Sequence, residues 1–162
     1  MKRIFALTLA VALLLCGCGK NDENTHKGGN AAAVKLGDVT VTAGEAFTAE
    51  MKTALGEPVS TEEAPSCHYE GMDTVYVYDG FSIQTYRKGD ADQVAVVTIE
   101  SPAYPTDKGV KIGDDSDAVK KAYGAAIEET PYYVVYTLND TVSLTFELKN
   151  GTVALILYEE KA

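Results

Sequence analysis

Three cysteines and two histidines are the residues of this 162-residue chain best suited to redox, nucleophilic or metal chemistry. Cys16 and Cys18 stand one residue apart in LLLCGCGK, at the end of an apolar run. By type alone they could be a redox pair, two metal ligands, or part of a segment outside the folded protein. Cys67-His68 could be a nucleophile or a ligand pair, yet the other histidine, His26, falls in a polar linker and no second cysteine is near in sequence. A buried small residue followed by an incidental histidine is the better reading. The carboxylates fare no better. Asp114, Asp115 and Asp117 lack the Gly and Glu that a calcium loop needs at its sixth and twelfth positions, and suit a helix N-terminus instead. Glu62-Glu63 and Glu159-Glu160 are consecutive, so on a strand their side chains point apart and make no acid–base pair. No Gly-rich phosphate loop follows a strand. The residues give no catalytic constellation and ask for no cofactor or metal; the expectation is a protein that is not an enzyme.

The ends of the chain give the cysteines their meaning. Lys2 and Arg3 precede Ile4 to Leu15, an apolar stretch too short to cross a bilayer core of about 30 Å but suited to a secretory signal. Leu15-Cys16-Gly17-Cys18 resembles the L-x-G/A-C end of bacterial lipoprotein signals, with Gly17 as the small residue before the cut. That likeness implies a signal peptide over residues 1–17 and diacylglyceryl modification of Cys18, with Cys16 discarded. Two or three acyl chains, at about 0.8 kcal/mol per buried CH₂, hold a soluble domain firmly to a membrane surface. The expected location is the extracytoplasmic face of a cell membrane. Loss of Lys2 and Arg3 moves the net charge from −10 to −12. Such an acidic chain has no basic patch for phosphates, which argues against nucleic acid as a partner. With Cys67 the one thiol left beside Cys18, stability must come from a packed core rather than a disulfide framework.

The elements that follow have regular signals. Residues 18–33 are polar, Gly- and Asn-rich and aperiodic, and read as a tether. Thr42-Ala43-Gly44-Glu45 has the form of a capping box, followed by Phe47, Met51 and Leu55 at helical spacing and a stop at Gly56. PVSTEEAPSC reads as irregular. Residues 75–86 and 94–100 then read as three strands, with Asp79-Gly80 as a hairpin turn. The second half follows the same order: a helix opening at residues 113–117, an apolar stripe of Val119, Ala122 and Tyr123, then strands over 132–138, TVSLTFELK and TVALILYEE around Asn150-Gly151. The pattern predicts an α+β fold of two tandem repeats, over 34–105 and 106–162. Each would be a helix plus a three-stranded antiparallel meander, with helices packed on one face of the sheet.

The motifs S-C-x-Y-E-G at 66–71, Y-x-Y-x-G-F-x-I-x-T-Y at 76–86, K-I-G-D at 111–114 and K-x-A-Y-G at 120–124 resemble those of uncharacterised bacterial lipoproteins built from helix-plus-meander units. Their layout is similar to that of β-lactamase inhibitory protein and of SmpA/OmlA-type small envelope lipoproteins. The resemblance spans about residues 34–158 and implies fold and location rather than an activity; no inhibitory residue carries over.

Turn positions assign faces. Pairing about Asn150-Gly151 sets Leu148 beside Val153, Phe146 beside Leu155, and Leu144 and Leu157 in the same buried row. Ser143, Thr145, Glu147, Ala154, Ile156 and Tyr158 would then face outward, with Ser82, Gln84 and Tyr86 outward in the first meander. The candidate binding face is therefore Ser82, Gln84, Tyr86, Ser143, Thr145, Glu147, Ile156 and Tyr158. An antiparallel sheet can leave one face wet, and tyrosine is enriched where proteins meet partners. The expected function is a lipid-anchored, non-catalytic binding module for a protein or envelope component. The alternatives are an assembly-accessory lipoprotein with no discrete ligand and, behind it, a hydrolase or metal site at Cys67 and His68. Lipidation has a direct check: Cys18→Ser should abolish labelled-palmitate incorporation, while Cys16→Ser leaves it unchanged. Palmitate incorporation in the Cys18 variant refutes the assignment.

Overall fold

Asn150 and Gly151 both take positive φ, 55° and 80°, a pair of values that Asn and Gly reach at little cost and that matches the twist of a tight hairpin. At Asp79-Gly80 the positive φ falls on Gly80 alone, at 82°. These reversals organise the computed structural model, which describes residues 32–66 and 71–161. Along the chain come β1 (Ala33–Leu36), β2 (Val39–Thr42), α1 (Ala49–Leu55), β3 (Ser60–Pro65), β4 (Met72–Tyr78), β5 (Phe81–Lys88) and β6 (Ala91–Ile99). Then follow α2 (Ser116–Tyr123), β7 (Glu128–Glu129), β8 (Tyr133–Thr137), β9 (Val142–Lys149) and β10 (Thr152–Glu160).

β1 and β2 form a two-stranded hairpin, and the other strands form one eight-stranded antiparallel sheet in the order β3-β4-β5-β6-β10-β9-β8-β7. This corrects the expected α+β fold of two helix-plus-three-stranded-meander repeats: the described residues are mostly β, with two short helices among them. Two missed features account for the difference. The segment Ser60–Pro65, expected to be irregular, is an edge strand whose residues are all exposed, so it carries no apolar alternation to betray it. Charge and proline on such an edge resist pairing with another chain. The β1–β2 hairpin, in turn, buries Val34, Leu36, Val39 and Val41 in the main core, each worth about 1.5–3 kcal/mol.

The first helix also starts later than its capping box suggests. Thr42 ends β2, and the N-cap is Thr48, whose hydroxyl accepts from the Met51 N–H at 3.3 Å. The intervening residues are held extended against β6: Gly44 N–H donates to Val94 O at 2.7 Å, Val94 N–H to Glu45 O at 2.9 Å, and Phe47 N–H to Asp92 O at 2.8 Å. Backbone pairing there outcompetes another helical turn. α2 follows its sequence signals, with Asp115 capping the Ala118 N–H at 2.8 Å and Val119 buried.

The helices and the β1–β2 hairpin share one side of the sheet. Lys52 ties α1 down, its Nζ donating to Asp92 at 2.8 Å and to the Tyr76 hydroxyl at 2.9 Å while lying over the Phe47 and Tyr76 rings. Across α2, Tyr123 meets Tyr136 and Phe146 at ring separations of 5.2 and 5.4 Å.

Two bulges break the strand alternation. Val153 pairs with Leu148 but Leu155 pairs with Glu147, so Ala154 is an extra residue in β10. In β6, Val94 pairs with Thr85 and Val96 with Gln84, which makes Ala95 extra. Val153 and Ile156 thus share the covered side, as do Val94 and Val97, and all four are buried.

Gly80 tests the tightness of this arrangement. A Cβ there would sit 2.4 Å from the Ser101 Cβ, whereas one on Gly37, at φ 62°, would meet nothing within 4 Å. Gly80→Ala should cost about 3 kcal/mol in urea unfolding, from φ strain plus overlap, against about 1 kcal/mol for Gly37→Ala. Equal losses would mean that the Ser101 loop yields freely.

Candidate functional site

Among the described residues, the side of the sheet opposite the helices is built by cross-strand pairing. One row crosses all eight strands: Ser60, Val77, Ser82, Thr98, Leu157, Thr145, Val135 and Glu128. At about 4.8 Å per strand it is roughly 34 Å wide. A second row runs Glu62, Val75, Gln84, Val96, Glu159, Ser143 and Thr137. The valines and Leu157 in these rows are half-buried by their neighbours, and the two helices and the β1–β2 hairpin pack elsewhere.

Five of the expected face residues lie here: Ser82, Gln84, Ser143, Thr145 and Glu147. Ile156 and Tyr158 do not. The Ala154 bulge shifts their parity, so Ile156 pairs with Phe146 and Tyr158 with Leu144, and both are fully buried in the core. The same shift brings Leu155 and Leu157 outward, where a row with Phe146 and Leu144 had been expected to bury them. Tyr86 keeps the outward parity but is only 3% exposed, between Asp73 of β4 and Gln93 of β6, and offers no free ring. Sequence reasoning missed Thr98, Val96, Val135, Leu155 and Leu157. The strand VALILYEE is apolar at both parities, so no pattern in it marks the bulge.

Hydrogen bonds fix several polar groups on this face. Thr145 Oγ1 donates to Glu159 at 3.1 Å, Gln84 Nε2 to Asp73 at 3.4 Å, and the Tyr133 hydroxyl to Glu128. The last bond raises the Tyr133 phenol above its ordinary pKa, since the carboxylate acceptor favours the protonated form. At the β8–β9 end a hollow of about 590 Å³ is lined by Tyr132, Tyr133, Val135, Thr145, Glu147, Leu148, Leu157, Glu128 and Glu159. A larger one of about 920 Å³, around Asn150, Gly151 and Pro131, borders it at Tyr132 and Leu148. Tyr132 is 74% exposed, a large aromatic surface between the two hollows.

The other side gathers the cations. Among the described residues, Lys52 and Arg87 pair with Asp92 at 2.8 and 2.9 Å, and Lys120 with Asp117 and Glu129 at 3.2 Å each. The hydrogen bond from Lys52, more than its partial burial, holds Asp92 below the usual carboxylate range. Lys52 is raised: burial works against its charge, but the bonds to Asp92 and Tyr76 outweigh it. This ion cluster fastens α1.

No group of three or more His, Cys, Asp or Glu among the described residues is placed to hold a metal, and no described helix is long and apolar enough to cross a membrane. Cys16, Cys18, Cys67, His26 and His68 lie outside the described residues, and with them the lipidation site and the Cys67-His68 alternative. Comparison with family models, curated proteins and solved structures finds no match to the chain, so the likeness to small envelope lipoproteins rests on the motifs alone.

The bulge assignment has a mutational signature. Tyr158 is fully buried with a hydroxyl that has no hydrogen-bond partner, and burial first, then nearby Tyr123 and Asp107, pushes that hydroxyl's pKa upward. Removing an unpaired buried hydroxyl relieves its desolvation, so Tyr158→Phe should leave stability unchanged or raise it by about 1 kcal/mol. Tyr158→Lys should abolish the cooperative melt. A Lys variant that melts like the parent would put Tyr158 on the open face.

Proposed function

We propose that this chain is a lipid-anchored extracytoplasmic binding protein, without catalysis of its own, that docks a protein partner on the open face of its sheet. The observation that supports the reading is the row of half-buried Val77, Leu157 and Val135, interleaved with hydroxyls, on the side away from both helices. The positions of this row from Val77 to Val135 hold no charge, and the carboxylates stand at its end and in the neighbouring rows, Glu159 of the central strand β10 among them. Small β-branched side chains on a flat surface lose little entropy on contact and favour a broad interface over a deep small-molecule pocket. The motif resemblance and the Cys18 signal support an extracytoplasmic location for that face.

The test is retention of an envelope component by the purified chain. Leu157→Lys combined with Thr98→Lys, adjacent residues of β10 and β6, should abolish retention while the melting temperature stays within a few degrees. A covered-side control, Lys121→Glu, should retain it. Retention by the double variant as strong as by the parent removes the open face from the reading.

A further inference from the structure

Charge on the open face narrows the partner, an inference that rests on the docking role just proposed. Glu62, Asp73, Glu128, Glu147 and Glu159 all have the outward parity. None of the five takes part in an ion pair; the ion pairs among the described residues all join groups on the helix-covered side. Asp73 keeps its Oδ1 buried with no donor among the described residues. The cations that share this parity, Lys88 and Lys149, sit next to the β5–β6 and β9–β10 turns, at the rim. The chain as a whole carries −10. The face is thus a row of aliphatic and hydroxyl side chains flanked by carboxylates without an ion-pair partner among the described residues.

From this we infer that the occupant is a basic amphipathic protein segment, an apolar stripe bordered by lysine or arginine. A neutral apolar partner would strand carboxylates in a drying interface, and a charge left buried and unpaired opposes association. An anionic lipid surface would be repelled. A cationic border instead gains from the field before contact and pairs the rim after it. The width of the face, roughly 34 Å at about 4.8 Å per strand, accommodates a segment of about 20 residues if helical.

Synthetic peptides of about 20 residues supply the probe, read by fluorescence anisotropy on the full chain. A Leu/Lys amphipathic peptide should bind at least about tenfold tighter than a Leu/Glu peptide or a Ser/Lys peptide, and more weakly as salt rises. Glu147→Lys with Glu159→Lys should weaken binding by about tenfold or more. Asp38→Lys with Asp79→Lys makes the same charge change at turns off the face and should alter it by less than about twofold. Equal losses from both pairs would mean a diffuse attraction to an acidic protein and would overturn the inference. Tight binding of the Leu/Glu peptide, lost with Leu157→Lys, would overturn the cationic partner while leaving the docking face intact. Binding of anionic vesicles in preference to every peptide would overturn both. Failure of all probes, with envelope retention indifferent to Leu157 and Thr98, would likewise remove inference and docking role together.

Discussion

The structure hinges on how two neighbouring strands satisfy their backbone at the point where they part. β6 and β10 pair with one another only over Val96–Ile99 and Ile156–Glu159. Beyond that, each strand continues with one edge unpaired, and unpaired buried N–H and C=O groups cost too much to leave. Both edges are filled by the chain leading into a helix. Val94 exchanges backbone bonds with Gly44 and Glu45; Val153 does so with Gly113 and Asp114, at 2.9 and 2.8 Å. The extra residues Ala95 and Ala154 follow those two valines directly. A small side chain at the extra position suits a bulge, because it needs no pocket on either face. The bulges therefore serve three ends: they let each strand change partner, anchor the approach to each helix, and set which side chains enter the core.

Seen this way, the helices are a consequence rather than a foundation. α1 has no buried residue and covers the core through half-buried Met51 and Leu55, and α2 buries only Val119. The β1–β2 hairpin, whose valines and Leu36 are buried, contributes as much to the second layer. What fixes α1 is the extended run Gly44–Phe47 on β6 and the Lys52–Asp92 bond, in which Asp92 also answers Arg87. A short helix so tethered at its start needs little propensity of its own.

How far the sequence discloses this follows from the same physics. Tyr78 opposite Phe81, Tyr76 opposite Ile83 and Leu148 opposite Val153 are legible, because two-residue turns fix register for the residues nearest them. Asp115 as N-cap and Gly124 as stop are legible too, since local side-chain and φ requirements decide them. Past the bulge the reading fails at once. A shift of one residue reverses every later side chain, so Ile156 and Tyr158 go inward, Leu155 and Leu157 outward, and the six residues from Leu155 to Glu160 could not be assigned from pairing at the turn alone. β3 was hidden for the opposite reason: it buries nothing, so no periodicity records it. The candidate face survives in its hydroxyl and amide members and changes in its apolar ones.

The parity shift also separates charge by side. Core-facing parity brings Asp92, paired with Arg87, to Lys52 of α1 and Glu129 to Lys120 of α2. The reverse parity collects carboxylates whose nearest bonded neighbours are neutral: Gln84 for Asp73, Thr145 for Glu159, Tyr133 for Glu128. The chain reaches β1 through Ala32, which is buried in the covered layer. The asymmetry set by two inserted alanines thus extends from strand register to the distribution of charge between the two sides of the sheet.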